Sequence, residues 1–269
     1  MIEKSQLLAV YDAALRTSAE MVGCREVHRL GPLWIGVQPT GDVFVSYAGL
    51  GLSGPAAAQE LARELMRFLD ELAPQDGCTF EVEVKTRAHD AAPGWEDALR
   101  EVGFTAQDPE SIMLGPAEAL LGATPPPGIA LRRAEARIDL MRAAAVADRV
   151  FGGTRGTDLV PELEQRLSTG DPVQQWIAEE GTSVVSTGRI DPVAGTDVAG
   201  LWGGATLPLY RRRGIYRALT SARVAAAMEL GVRWIHSDST EDSRPILERS
   251  GLVRIGCTTP LTARVPARA

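Results

Sequence analysis

Leu207-Pro208-Leu209-Tyr210-Arg211-Arg212-Arg213-Gly214-Ile215-Tyr216-Arg217 is the stretch on which the reading of this chain turns. Four arginines fall within seven residues of a protein whose formal net charge is −7. The segment before it, Asp197–Thr206, reads as a strand. The segment after it, Gly214–Leu230, reads as a helix with apolar positions at Ile215, Leu219, Ala222, Ala226 and Leu230. A loop that opens onto a helix N-terminus offers unpaired backbone N–H groups and the positive end of the helix dipole, and fixed cations beside it strengthen the pull on phosphate. Gly214 fits such a place, because a residue without Cβ lets a phosphate approach the backbone. The competing reading is a solvated loop whose arginines pair with acidic neighbours.

Working outward, Val232–Ser239 reads as a second strand, Ser243–Ser250 as a short helix closed by Gly251, and Leu252 to about Cys257 as a final strand. The run Gly122-Ala-Thr-Pro-Pro-Pro-Gly128 is a linker, since three successive prolines enforce an extended segment. The same order of elements recurs before it. Asp42–Gly49 is a strand, Pro55–Leu72 a long helix, Cys78–Lys85 a strand, Pro93–Val102 a helix ending at Gly103, and Ser111–Leu114 a strand. Gly103 and Gly251 occupy the same place in each half, in Glu101-Val-Gly-Phe104 and Arg249-Ser-Gly-Leu252. The expectation is an internal duplication with two α/β domains, 1–122 and 123–269, each built on a mixed sheet. Where the second half has its arginines, the first has Gly49-Leu-Gly-Leu-Ser-Gly-Pro55, with glycines and no cation.

The charges divide unevenly: residues 1–122 carry 9 Lys/Arg against 19 Asp/Glu, a net of −10, and the remainder a net of +3. This balance lacks the basic stripe that nucleic-acid binding needs, and leaves room for one confined anion site in the second half. Three cysteines, Cys24, Cys78 and Cys257, are too few and too scattered for a disulfide framework or a zinc site, so no metal is expected. The N-terminal residues show no signal-peptide pattern and no stretch of 18 apolar residues occurs, which reads as a cytoplasmic protein with no membrane partner.

With these elements in register, the second half resembles the GNAT superfamily of N-acetyltransferases, whose signature is [Gln/Arg]-x-x-Gly-x-[Gly/Ala]. Arg211-x-x-Gly214-x matches its first five positions, and Leu207–Tyr210 resembles the usual approach to that loop. Ile129–Ala134 with the helical stretch to Phe151 resembles the family's first strand and helix, and Leu247–Leu252 its closing helix. The first half then looks like a degenerate copy. The resemblance implies two GNAT-like domains, each a twisted, mostly antiparallel sheet with a splayed central strand pair flanked by helices. It implies acetyl-CoA or another acyl-CoA as co-substrate, with the pyrophosphate on the amides of Arg212, Gly214, Tyr216 and Arg217 and with Arg211 and Arg213 bracing the loop or pairing with phosphate. Main-chain groups near Gly204 and Thr206 would pair with the pantetheine arm, the Gly204 amide would polarise the thioester carbonyl, and Ser243 would touch the pantetheine or simply cap its helix. The acyl group would pass to an amine, either a small molecule or a peptide.

Two departures from the family pattern stand out. Tyr216 occupies the position preferred by Gly or Ala, and Leu247 stands where many members carry the tyrosine that protonates the leaving thiolate. His236 and Asp238, two apart on one strand, share a face. Asp238 is the candidate proton acceptor, against a reading in which it caps or turns the chain; His236 reads rather as a structural residue. Glu179-Glu180 reads as a solvated hairpin end, with acceptor binding as the alternative. A non-catalytic acyl-CoA-binding module and an aminoacyl-tRNA-dependent transferase are the competing functions, the second disfavoured by the charge of −7.

Overall fold

The computed structural model describes residues 3–72, 79–241 and 243–266. In chain order the elements are α1 (Lys4–Leu15), β1 (Glu26–Leu30), β2 (Leu33–Val37), β3 (Val43–Ser46), α2 (Pro55–Leu72), β4 (Phe80–Arg87), α3 (Trp95–Glu101), β5 (Thr105–Ala106), β6 (Glu110–Pro116) and β7 (Ile129–Arg133). There follow α4 (Arg137–Phe151), α5 (Arg155–Asp158), α6 (Val160–Ser168), β8 (Gln174–Glu180), β9 (Ser183–Pro192), β10 (Val198–Thr206), α7 (Ile215–Met228), β11 (Trp234–Ser239), α8 (Arg244–Arg249) and β12 (Val253–Val265). The expected strand start at Cys78 lies outside the described residues. No helix among them is long and apolar enough to cross a membrane.

The chain forms two compact units, each a mostly antiparallel sheet flanked by helices. The first comprises the described residues of Met1–Ile112, Asp238–Glu241 and Ile255–Ala269; the second comprises those of Met113–Ser237 and Asp242–Arg254. These are not the two contiguous halves read from the sequence. Ala117 and Leu120, before the proline linker, already belong to the apolar cluster that holds Val224 and Leu247. At the other end, β12 pairs with β4 from Thr258↔Arg87 to Val265↔Phe80, so Ile255–Val265 completes the sheet of the first unit. The strand therefore runs eight residues past the expected Cys257. Pro260 interrupts the pattern in the sequence because it has no N–H to give, yet its carbonyl still accepts from Gln107 N–H at 2.9 Å.

In the first unit the order is β1-β2-β3-β4-β12, with β5 on β12. Helix α2 is amphipathic, and Ala58, Leu61, Ala62, Leu65 and Leu69 line its buried face against Ile35, Val45, Val82 and Val84. Strands β3 and β4 run parallel but pair only over Val43–Val45 with Val82–Val84. Beyond that point the residues are polar and buried. The Arg87 side chain is fully enclosed, donating to the Tyr11 hydroxyl at 3.0 Å and to Glu20 at 2.5 Å. Arg16 donates to the Tyr47 carbonyl at 2.8 Å and to Asp90 Oδ2 at 2.8 Å. Lys85 is ion-paired with Asp238, whose side chain is 3% exposed. Burial opposes the Lys85 charge, but Asp238, Tyr11 and Glu20 outweigh it and hold the ammonium pKa above its ordinary value; burial also pushes the Tyr11 phenol up to about 12.

Removing one member of such a buried pair strands the other charge. Asp238→Ala is expected to lower the unfolding free energy, measured by urea denaturation, by about 3–5 kcal/mol. Replacing both partners, Asp238→Leu with Lys85→Met, is expected to restore most of that loss.

Candidate active site

In the second unit the order is β6-β11-β10-β9-β8-β7. Strand β10 has two irregularities. Its parallel ladder to β11 covers only Val198–Gly200 against Trp234–His236. Its antiparallel ladder to β9 skips between Trp202 and Ala205, with Gly203 at φ +59°. The extra residue at this bulge reverses the side-chain alternation. Ala199 and Leu201 pack with Val224 and Ala227 of α7, whereas Ala205, of the same parity, packs with Leu140 and Ala143 of α4. Beyond Gly200, β10 has main-chain groups on its β11 side that no ladder uses, which is the splayed strand pair expected from the sequence.

After Thr206 the chain makes a single 3-10 turn, Pro208–Tyr210, and enters α7 at Ile215. Arg212 has φ +61° and Gly214 φ +82°. Arg212 is the one non-glycine with positive φ among the described residues, a conformation that costs about 1 kcal/mol or more. These two positive-φ residues flank Arg213, between the extended Arg211 and the start of α7. The first helical bond is Ala218 N–H to the Gly214 carbonyl at 3.0 Å, so the amides of Ile215, Tyr216 and Arg217 have no acceptor within the helix.

The arginines divide into two groups. Arg211 Nε donates to the Thr206 carbonyl at 3.1 Å and folds the loop back on the end of β10. Arg213 donates to Glu180 Oε1 at 3.0 Å and lies 5.1 Å from the Tyr210 ring centroid, while the Tyr210 hydroxyl donates to Glu180 Oε2 at 2.9 Å. These bonds, from Arg213 first and then Tyr210, hold the Glu180 carboxyl below its ordinary pKa. Arg212 and Arg217 are exposed and have no ion-pair partner among the described residues. Glu180 does end a hairpin, with Gly181 at φ +59°, but its carboxylate anchors the loop; nothing local in the sequence links positions 33 apart. Thr206 is likewise fixed, its hydroxyl 2.8 Å from Ser186 Oγ.

Gly204 lies under Tyr216: a Cβ added there would come 2.8 Å from Tyr216 Cε2. Arg223, on the same helix, is 1% exposed, and its guanidinium would be 2.4 Å from a Cβ on Gly188. Arg223 donates to the carbonyls of Arg189 (2.9 Å) and Leu219 (3.3 Å) and to Thr220 Oγ1 (2.9 Å). Burial lowers its pKa, and no carboxylate contributes a compensating charge. Sequence reading missed this arginine because it sits on a helix face otherwise made of Leu219, Val224 and Ala227.

Of the remaining candidates, Ser243 is the N-cap of α8, where its carbonyl accepts from Ile246 and Leu247 N–H at 3.0 and 3.2 Å. His236 is buried and meets Trp202 edge to face at 5.5 Å, a structural setting. Leu247 is a core residue, 1% exposed. Asp238 is not grouped with this loop; it belongs to the first unit and is committed to Lys85, so it serves there as a buried counter-charge.

Residues 140–251 match the family model of the acetyltransferase (GNAT) family. No curated protein matches the chain. Among solved structures, a GCN5-related N-acetyltransferase from Kribbella flavida is similar with a TM-score of 0.68 and 19% identity over 94% of this chain and 95% of that one. Another, from Sphaerobacter thermophilus, has a TM-score of 0.61 and 16% identity over 98% and 92%. A tandem GNAT protein from the clavulanic acid biosynthesis pathway has a TM-score of 0.61 and 13% identity over 97% and 95%. At these identities the likeness is one of fold, and it extends over both units.

Glu180→Ala unties the loop from the β8–β9 hairpin while removing an exposed side chain. It is expected to speed amide hydrogen exchange across residues 211–217 severalfold, with little change in melting temperature, by exchange mass spectrometry and thermal denaturation.

Proposed function

We propose that this chain, whose second unit holds a domain of the acetyltransferase (GNAT) family, transfers an acetyl or other acyl group from CoA to an amine. The observation that supports this reading is the loop between β10 and α7, where two positive-φ residues precede three first-turn amides without helical acceptors and Arg211 and Arg213 brace the chain. The pyrophosphate is assigned to the amides of Arg212, Gly214, Tyr216 and Arg217, with the Arg212 and Arg217 side chains free to add charge. The pantetheine arm is assigned to the unpaired edge of β10 near Gly204 and Thr206, and the thioester carbonyl to the Gly204 amide, which the bulge detaches from the β9 ladder. Ser243 is assigned a supporting contact at α8.

The acyl-CoA supplies an activated acyl carbon, and the protein supplies placement and a fixed donor at the developing oxyanion. The acceptor, a small molecule or a peptide, attacks as the free amine. Asp238 does not take its proton in this reading, because its carboxylate already serves Lys85; the proton leaves through solvent. The first unit is assigned no cofactor of its own. Its corresponding glycine loop carries no cation, and the place beyond its own short parallel ladder is filled by Arg87, Glu20 and Ser46. A second reading, an acyl-CoA-binding module without turnover, is favoured by one observation: Leu247 is a core residue where the resemblance implies an acid.

Calorimetric titration with acetyl-CoA tests the proposal. About one equivalent is expected to bind, and Gly214→Asp is expected to abolish binding. A Cβ at Gly214 meets nothing within 4 Å, but φ +82° strains any other residue by about 1–2 kcal/mol, so the variant is checked for native circular dichroism and Gly214→Ala is titrated beside it as the control for strain. Unchanged affinity in Gly214→Asp would sink the loop assignment; binding without turnover of any amine would favour the second reading.

A further inference from the structure

Helices α7 and α8 of the second unit stand on either side of a small pocket, which the chain ahead of the proline linker covers. Its volume is about 80 Å³. One water needs roughly 10–15 Å³, so the space suits a group of several heavy atoms. Arg217 and Thr220 line it from α7, and Arg249 and Ser250 from the end of α8. The covering segment contributes only apolar side chains, with Leu121 exposed at the edge, and no carboxylate faces the space. That segment is held in place. Ala117 N–H donates to the Arg233 carbonyl at 2.8 Å, Leu120 is buried with Val224 and Leu247, and a Cβ on Gly251 would come 2.7 Å from Ala119 Cβ.

The polar groups around the pocket are donors without acceptors. Arg217 and Arg249 are exposed, and neither has a hydrogen bond or an ion pair to any described residue. Glu248, the carboxylate next to Arg249 in sequence, lies 3.9 Å from Arg244 instead. Thr220 is 3% exposed, and its Oγ1 accepts from Arg223 at 2.9 Å. Its own O–H has no acceptor among the described residues, and accepting from a guanidinium makes it a better donor. Ser250 is different, because its hydroxyl is already given to the Ile246 carbonyl at 2.9 Å. Two unpaired guanidinium groups and one unspent hydroxyl hydrogen call for an anion with several oxygens, and the planar fork of arginine matches phosphate.

We propose that this pocket is a phosphate-monoester site. Arg217 and Arg249 close on the phosphate from the two helices, Thr220 donates to it from within, and the apolar wall at Leu121 takes the sugar or base that carries it. Two kinds of ligand have this chemistry. The CoA assigned above bears a phosphate on its ribose, apart from the pyrophosphate, and Thr220 lies one turn, about 5 Å, along α7 from the Arg217 amide assigned to that pyrophosphate. A free nucleotide or sugar phosphate bears the same group. The first source rests on the acyl-CoA reading; the pocket itself does not.

Calorimetric titrations at low salt test the site, with acetyl-CoA, with acetyl-dephospho-CoA, which lacks only the ribose phosphate, and with adenosine 3′-phosphate. They are run on the unaltered protein, Arg249→Ala, Arg249→Lys and Arg233→Ala. Arg233 is exposed and its side chain lies outside the pocket, so its variant removes an equal charge without touching the lining. With the donor's phosphate in the pocket, the unaltered protein binds acetyl-CoA about tenfold or more tighter than the dephospho form. Arg249→Ala then loses most of that preference at unchanged affinity for the dephospho form, Arg249→Lys keeps part of it, and Arg233→Ala keeps it whole. With a free ester as the ligand, the two CoA forms bind alike, and adenosine 3′-phosphate binds the unaltered protein and Arg233→Ala but not Arg249→Ala. A preference that survives Arg249→Ala, or that Arg233→Ala reduces equally, overturns the site. So does equal binding of the two CoA forms with no binding of adenosine 3′-phosphate, which leaves the acyl-CoA reading standing. Failure of both CoA forms to bind removes that reading, and the adenosine 3′-phosphate titrations then decide the pocket by themselves.

Discussion

Much of the second unit depends on where β10 stops pairing. Three residues of parallel ladder with β11 are enough to lock Ala199 and Leu201 into the core, and the bulge at Gly203 and Gly204 then interrupts the pairing with β9 before it resumes at Ala205↔Thr187. Main-chain groups that stand outside both ladders need another partner when buried, as the Leu201 carbonyl finds Ser237 Oγ at 3.2 Å. The bulge also moves Ala205 to the opposite face, so that Thr206 can be tied to Ser186 and its carbonyl to Arg211. The loop geometry at Arg212 and Gly214 follows from this anchored end.

The first unit begins the same way and finishes differently. Strands β3 and β4 also pair over three residues only, but there the protein supplies its own polar groups. Arg87, Glu20, Ser46 and Tyr11 occupy the space, Arg16 takes the Tyr47 carbonyl, and Lys85 takes Asp238. One architectural feature is therefore closed by internal ion pairs in one unit and bordered by exposed arginines in the other. The contrast explains how a protein of net charge −7 keeps a cationic loop: the acidic surplus lies mainly in its first half, and Glu180 neutralises only one of the loop arginines.

Arginine serves three distinct purposes within fifteen residues of the second unit. Arg211 and Arg213 hold the loop through directed bonds to a carbonyl and a carboxylate, which their planar forks suit. Arg212 and Arg217 remain exposed. Arg223 is buried among neutral oxygens, where burial lowers its pKa and its bond to the Arg189 carbonyl ties α7 to β9.

The sequence by itself determined the local elements and the loop. The apolar spacing of Pro55–Leu72 and of the α7 segment, the stop glycines Gly103 and Gly251, and the arginine run ending at Gly214 are signals carried within one or two turns of chain, so they can be read without neighbours. The resemblance to acetyltransferases came from those same residues in register. Tertiary structure alone decided what depends on distant partners. The strand at Leu261–Val265 exists because β4 pairs with it, despite Pro260. Asp238 became a counter-charge because Lys85, 153 positions away, lies against it. Glu180 became a loop anchor across 33 positions, and Arg223 was hidden inside an apolar helix pattern until Gly188 and the Arg189 carbonyl defined its pocket. The energies of these pairings depend on burial and on the direction of a hydrogen bond, and neither quantity exists until the chain has folded.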